Sequence, residues 1–389
     1  MSMDTRTRST PRSVFDGEPL LRTVATALVA LSRRAHPDDP VYETVVQRAF
    51  DQLVLLCLRR GATPPGSVPE MVRWARTKPV TAWPLDLFDA EVDDHQLLVD
   101  PETVSPTQFC LEWAISSADP TAEQFENLLM NDAITTCRAA QAPDSYTALR
   151  RLMIERPALT SAELAELSGD IDLHPVLNVI RDSYEPAPAA YLRNGHYSVC
   201  KGCRCLMVPT NRGVLRCELD RCKREGNDEI GREIPVHAGG GVQQLRRPLR
   251  MFITGPGRAE IDLEISMVKL RLRPEMWPNF DAYDLRITLP DGQVWAIDVK
   301  DRANPALLGR STVPFRTVPP FTHAFLVVPA YRLVDREDYQ RVFHRNLPTE
   351  LRGKVKLHTD KALLTKLRTA LRRARASRAA GPEQGGTGA

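Results

Sequence analysis

Two aspartates and a lysine in the pattern Asp284-x13-Asp298-x-Lys300 are the residues of this chain whose types and spacing best suit chemistry. They sit in a stretch from Tyr283 to Asp301 that reads as strand, tight turn, strand. Pro290-Asp291-Gly292 suits a three-residue hairpin loop, a type I turn closed by a glycine in the left-handed region. That loop sets Leu289 against Gln293, Ile287 against Trp295, Leu285 against Ile297 and Asp284 against Asp298. Side chains alternate along a strand, so Leu285, Ile287, Leu289, Trp295 and Ile297 share an apolar face, and Asp284, Asp298 and Lys300 share the other. A two-residue Asp-Gly loop would put Asp284 opposite Val299 and split the carboxylates between faces. The three-residue loop is the expected one.

Carboxylates converging from adjacent strands are hard oxygen ligands for Mg²⁺ or Mn²⁺, which would bind a substrate phosphate and polarise an attacking water. Lys300 would orient that water or stabilise charge on the phosphorane. The bland alternative is that Asp284 and Asp298 are solvated strand ends and Lys300 an edge charge. The pattern resembles the PD-(D/E)xK nuclease superfamily, the restriction-endonuclease-like fold, with Tyr283 where the eponymous proline would stand. The resemblance implies an α/β core with a mixed sheet and a divalent-metal-dependent endonuclease hydrolysing DNA phosphodiester bonds. It also implies a helix bringing a further acid to the site. Gly255-Pro256-Gly257-Arg258-Ala259-Glu260, followed by Ile261, Leu263, Ile265, Met267 and Leu270, fits that place. Glu260 is the candidate third ligand, with Glu264 one turn later. His323 to Pro329 reads as a buried strand and Asp335 to Phe343 as a covering helix.

Five of the eight cysteines cluster as Cys200-x2-Cys203-x-Cys205-x11-Cys217-x4-Cys222. In a reducing compartment this spacing favours a structural Zn²⁺ held by four thiolates, assigned to Cys200, Cys203, Cys217 and Cys222. Cys205 could replace Cys203, and His196 or His237 could stand in for one thiolate. Lys201, Arg204, Arg212, Arg216, Arg221, Lys223 and Arg224 surround the cluster and could meet phosphates or simply be solvated. Cys57, Cys110 and Cys137 lie in apolar helical contexts and read as small buried hydrophobes.

The 389 residues, 42% apolar and 26% charged, describe a soluble, multidomain α+β chain. A net charge of +3 is too small to imply nucleic-acid binding by itself. No apolar run approaches the roughly 20 residues of a membrane span, and the start lacks the apolar core of a signal peptide, so a cytoplasmic protein is expected. The expected order begins with disordered residues 1–15, a helical region over 16–190 and a zinc ribbon over 191–238. A linker over 239–250, a nuclease-like domain over 251–360, a basic helix over 361–378 and a disordered tail over 379–389 follow. Residues 145–184 hold three short helices, the second opened by a Thr160-Ser-Ala-Glu163 capping box. They fit a helix-turn-helix or, with Arg181 the obvious base there, plain helical packing. Gly239-Gly240-Gly241 reads as a flexible joint. The basic helix carries seven Lys or Arg and a stripe of Leu363, Leu364, Leu367 and Leu371 that could dock on the core.

A narrower resemblance rests on the succession of these parts. A helical region, a joint with Tyr184, Tyr191 and Tyr197, a Cys-x2-Cys ribbon, a Gly-Pro-Gly-x-x-Glu helix and the Asp-Val-Lys hairpin follow one another over roughly residues 140 to 360. This resembles the restriction-endonuclease-like proteins associated with the Argonaute-like pPIWI-RE proteins of bacterial three-gene defence islands. It implies action on foreign DNA with an Argonaute-like partner and a helicase, and two copies could meet as a homodimer to cut both strands. The competing expectation is a non-catalytic, zinc-containing DNA-binding or scaffold protein.

Overall fold

In the computed structural model, which describes residues 16–33, 42–115 and 120–379, chain contacts separate two units, Met1–Gln124 and Phe125–Ala389. The terminal segments expected to be disordered lie outside the described residues, apart from Ala379.

The first unit is helical, with α1 (Gly17–Arg33), α2 (Thr44–Arg59), α3 (Val68–Thr77) and α4 (Gln108–Ile115). Helix α1 buries Leu20, Leu21, Val24, Ala25 and Leu28, one 3.6-residue face, and packs on α2 and α4. Cys57 and Cys110 are buried in these helices, as Cys137 is in the next, so all three serve as small hydrophobes.

Helix α5 (Pro120–Ala139) crosses the division, and α6 (Pro143–Glu155) follows. Pro157 ends α6, because a proline disfavours helical geometry in the residue before it. Strand β1 (Ala158–Thr160) leads into α7 (Ser161–Glu166), and the expected capping box closes there. The Thr160 hydroxyl accepts from the Glu163 N–H at 3.1 Å, and the Glu163 carboxylate accepts from the Thr160 N–H at 2.7 Å. Helix α8 (Leu177–Ser183) follows a 3₁₀ turn over His174-Pro175-Val176, and Tyr184 opens β2 (Tyr184–Pro186).

The ribbon comes next: β3 (His196–Cys200), β4 (Val208–Pro209), β5 (Leu215–Arg216), α9 (Asp220–Arg224) and β6 (Ile230–Pro235). Strands β3 and β6 pair antiparallel, as do β4 and β5. Gly239-Gly240-Gly241 differs from the expected flexible joint. It turns directly into β7 (Val242–Leu245), which inserts antiparallel between β1 and β2. At Gly239, with φ +53°, a Cβ would sit 2.7 Å from the Thr160 hydroxyl, so glycine here permits close approach. The ribbon therefore interrupts a unit running helix, strand, helix, helix, strand, strand, the connectivity of a winged helix-turn-helix, and it stands where the wing would be. Beyond β7, α10 (Arg247–Leu249) and a π turn over Arg250–Thr254 continue into the next helix, so the stretch expected as a linker is structured throughout.

The remaining chain builds one sheet with helices on both faces. Its elements are α11 (Gly255–Lys269), β8 (Glu275–Met276), α12 (Pro278–Asp281), β9 (Leu285–Thr288), β10 (Val294–Val299), α13 (Pro305–Ser311), β11 (His323–Val328), α14 (Tyr331–Asp335), α15 (Tyr339–Arg345), β12 (Leu357–Thr359) and α16 (Asp360–Ala379). The strand order is β12-β11-β10-β9-β8, antiparallel across β8, β9 and β10 and parallel across β10, β11 and β12, so the sheet is mixed as expected. Leu285, Ile287, Trp295 and Ile297 share one buried cluster with Ile261 and Leu263 of α11 and Leu363, Leu367 and Leu371 of α16. Leu326 and Val328 pack on the other side against Leu308 of α13 and Tyr339 and Phe343 of α15. Two boundaries differ from expectation. The helix read over Asp335 to Phe343 is broken at Arg336, whose extended backbone separates α14 from α15. The basic helix is integral to the core through its leucines. No helix among the described residues is long and apolar enough to cross a membrane.

Candidate functional site

The β9–β10 hairpin forms in the register set by the three-residue loop. Gly292 adopts φ +86°, the Leu289 N–H donates to the Gln293 carbonyl at 2.8 Å, and Ile287 pairs with Trp295 and Leu285 with Ile297. One step beyond that last pair stand Asp284 and Asp298. The Asp284 carboxylate accepts the Val299 N–H at 2.6 Å, and Lys300 Nζ lies 2.7 Å from Asp298 Oδ1. Asp284 is buried, whereas Asp298 and Lys300 are partly open to solvent.

Helix α11 carries Glu260 to the same neighbourhood and buries it. There Arg150 of α6 donates to both Glu260 oxygens at 3.1 and 3.3 Å, and Trp277 Nε1 donates at 2.5 Å. Arg150 also reaches Asp281 at 3.0 Å, and the Tyr146 hydroxyl lies 3.2 Å from the same carboxylate. Glu264 is turned elsewhere, paired with Arg151. Arg150, Tyr146, Trp277 and Asp281 were not anticipated from the sequence. Asp281 had one local signal, an acid three residues before Asp284. Arg150 had none, since it lies 110 residues from Glu260.

Trp277, Asn279, Phe280 and Asp281 all have φ between +47° and +68° with no glycine among them. Each such residue costs on the order of 1 kcal/mol or more, and this turn delivers both Trp277 and Asp281 to Glu260 and Arg150.

The electrostatics follow from burial and crowding. Burial raises Asp284 well above the usual carboxylate range, and Glu260 and Asp298 add to it against the opposing pull of Lys300. Glu260 is also raised by burial, with Arg150 opposing and Asp281 reinforcing. Burial would lower Lys300, yet Asp298 and Asp284 raise it, so it stays charged. Glu260, Asp281, Asp284 and Asp298 against Arg150 and Lys300 leave an excess of two negative charges when all are ionised. That matches a divalent cation in sign and size. The donor chemistry fits a hard dication. The oxygens of Glu260, Asp284 and Asp298 are not gathered at one point, however, because the described residues hold one group of three or more ligand atoms within 4.8 Å of one another, and it is the cysteines.

That group is Cys200, Cys203, Cys217 and Cys222, all buried. Cys203 Sγ and Cys217 Sγ are 3.5 Å apart, close to the edge of about 3.8 Å for a tetrahedron with metal–sulfur bonds of about 2.3 Å. Hydrogen bonds from the other three sulfurs lower the Cys200 thiol, and the same contacts with Cys200 raise Cys203, Cys217 and Cys222. The cluster can hold a metal ion. Cys205 is buried outside this group, and His196 Nδ1 contacts the Asn194 carbonyl instead. Glu218, beside Cys217, ties the ribbon to the β7–α11 segment by ion pairs to Arg247 and to Arg250, the latter at 3.0 Å. Burial alone would raise Glu218, but the two guanidiniums hold it down to about 2. From α9, Asp220 lies 3.8 Å from Arg332, which also binds the buried Asp301 at 2.7 Å just after Lys300.

No curated protein and no solved structure matches the chain. Two family models do. Residues 20–160 match the one described as pPIWI_RE three-gene island domain Y, so the first helices, read from sequence only as a helical region, carry a family signature of their own. Residues 257–375 match the one described as REase associating with pPIWI_RE, a span that takes in most of α11, the hairpin, the whole mixed sheet and most of α16. The chain therefore carries, in two separate segments, the signatures of domain Y and of the REase associated with pPIWI_RE three-gene islands.

Proposed function

We propose that this chain is a Mg²⁺- or Mn²⁺-dependent endonuclease that hydrolyses DNA phosphodiester bonds. The observation that carries the reading is the hairpin register, by which Asp284 stands beside Asp298 with Lys300 just past the end of β10, inside the REase-matched segment. Asp284 and Asp298 would hold the metal, which supplies Lewis-acid polarisation of the phosphate and a more acidic water. Lys300, fixed by Asp298, orients the nucleophile and offsets charge on the phosphorane. Glu260 completes or orients the site after loosening from Arg150. Zn²⁺ on Cys200, Cys203, Cys217 and Cys222 would be structural, joining β3 and the turn after it to α9 and the residues just before it.

The island context supports work with an Argonaute-like pPIWI protein in defence against foreign DNA, with a helicase as a further member and a homodimer as the form that cuts both strands. The metal site attacks a phosphodiester and does not select the sugar, so RNA and hybrid substrates belong in the test. One observation favours a non-catalytic, zinc-containing DNA-binding or scaffold protein: Glu260 is fully engaged by Arg150 and Trp277.

The test is cleavage of supercoiled and single-stranded DNA, RNA and hybrid with Mg²⁺ or Mn²⁺, by wild type, Asp298→Ala and Lys300→Ala. Loss of at least about a hundredfold in both variants, with zinc content and thermal midpoint retained, is expected for groups stabilising the transition state. Equal rates in all three would sink the assignment.

A further inference from the structure

The basic residues of the ribbon are not spread evenly. Arg204 and Lys201 on the ribbon turn, Arg232 on β6 and Arg156 at the end of α6 line one cavity of about 410 Å³ together with Glu155, Glu163, Ala158, Val199, Cys200 and Gly231. Its size is that of a site for one small ligand.

Arg204 Nη1 donates to the Glu155 carbonyl at 3.1 Å, at the C-terminal end of α6, and Arg232 Nη2 donates to the Ala158 carbonyl at 3.3 Å. Neither has a carboxylate oxygen within ion-pair distance among the described residues. A guanidinium has five N–H donors, so each is oriented by one contact and keeps others to offer. Arg156 meets Glu163 at 3.4 Å and Lys201 meets Glu229 at 2.9 Å, both largely exposed pairs of small energy.

The walls are built for this arrangement. Arg204 sits at φ +67°, an unfavourable conformation for a residue with a Cβ, within the Cys203-Arg204-Cys205 turn. A Cβ on Gly231 would lie 2.7 Å from Lys201 Cα, so β6 approaches the turn as closely as glycine allows. Cys200, one of the four clustered cysteines, forms part of the wall. Ala158 and Val199, both buried in the core beneath, close the floor of the cavity.

We propose that this cavity, where the ribbon meets β1 and α7, is a binding site for one nucleotide unit of a polynucleotide strand, its phosphate held by Arg204 and Arg232. The site rests on the nucleic-acid reading of the chain and gives the ribbon a role beyond clamping the fold. Arginine forks match phosphate oxygens in pairs, and a cavity of about 410 Å³ leaves room beside them for the rest of a nucleotide, more than a bare anion needs.

The test uses the full chain in magnesium-free buffer. Anisotropy with labelled single-stranded DNA and RNA 12-mers is measured for wild type, Arg204→Gln/Arg232→Gln and the control Lys366→Gln/Arg368→Gln, which removes the same charge from exposed positions of α16. The pocket variant should bind about ten- to a hundredfold more weakly, with a log–log salt slope smaller by about 0.7 for the one single-strand phosphate contact. The control should change less than about threefold, and zinc content should be equal in all three. Comparison of the DNA and RNA arms identifies the strand. Equal loss in pocket and control variants, or unchanged binding in the pocket variant, would overturn the site. Cleavage by wild type alongside unchanged pocket-variant binding would overturn the site and leave the nuclease standing. Pocket-dependent binding without any metal-dependent cleavage would do the reverse. Absence of binding by wild type to either strand would overturn the site.

Discussion

Arg150 is the residue whose removal tests the candidate site as a physical object. It is buried and bridges Glu260 at 3.1 Å and Asp281 at 3.0 Å, while its guanidinium lies 5.1 Å from the Trp277 ring. Arg150→Met keeps most of the volume and removes the charge, leaving Glu260 with the Trp277 N–H alone. Breaking a buried pair from one side costs about 3–5 kcal/mol. For a unit of this size that is a fall in thermal midpoint on the order of 10 °C. Glu260→Gln in the Arg150→Met background should recover at least about half of the loss, because an amide can be buried at the same hydrogen bond without a charge. Burial already raises Glu260, and loss of Arg150 removes the main opposing influence, so it rises further. A carboxyl raised in the folded state contributes stability that is complete below its unfolded value near 4.3 and is lost as pH rises through the folded value. The deficit of Arg150→Met should therefore be largest at pH 8 and shrink towards pH 4. Scanning calorimetry of wild type and both variants across that range measures it. A midpoint within 2 °C of wild type at pH 8, or no recovery in the double variant, would refute the reasoning.

The same logic gives a stabilising change. Asp284 is raised well above the usual range, so Asp284→Asn should raise the midpoint at pH 8 in magnesium-free buffer, with the gain fading as pH falls towards 4. Removing the metal from the cysteine cluster with a thiol-competitive chelator should release one zinc per chain, read by atomic absorption. It should also unfold the ribbon, since such sites hold on the order of 10 kcal/mol. Thr160→Ala removes the hydroxyl arm of the capping box, leaving the backbone N–H arm to Glu163, and should cost about 1 kcal/mol by urea midpoint. Gly309→Ala puts a Cβ 2.6 Å from the Phe343 carbonyl oxygen and should force α13 off α15, at a cost of about 1–3 kcal/mol.

What could be read from the sequence was what local rules determine. The hairpin was legible because Pro290-Asp291-Gly292 fixes a register and alternation fixes the faces, so the pairing of Leu285 with Ile297 follows from counting. The cysteine cluster was legible by spacing, and the Thr160–Glu163 box by its two residues. The ribbon's place was not, because β1, β2 and β7 are brought together from 158, 184 and 242, and each is three or four residues long, too short for a periodicity to speak. The run of triplet glycines was misleading for a physical reason: freedom and close approach call for the same residue, and only the neighbouring Thr160 tells them apart.

The deepest gap lies at the site itself. Its acids come from α11, the turn before β9, and the hairpin, all within residues 257–375, but the cation that allows Glu260 to be buried comes from α6, within residues 20–160. Neither segment alone is electrostatically complete. A buried glutamate with no partner would protonate or expose itself, and a buried Arg150 with no acid has nowhere to place its donors. The two matched segments are therefore coupled by more than proximity. With Arg150 drawn away, Glu260 would keep only the Trp277 N–H and, buried as it is, would take up a proton, so it is the packing of α6 against α11 that keeps this acid ionised beside Asp284.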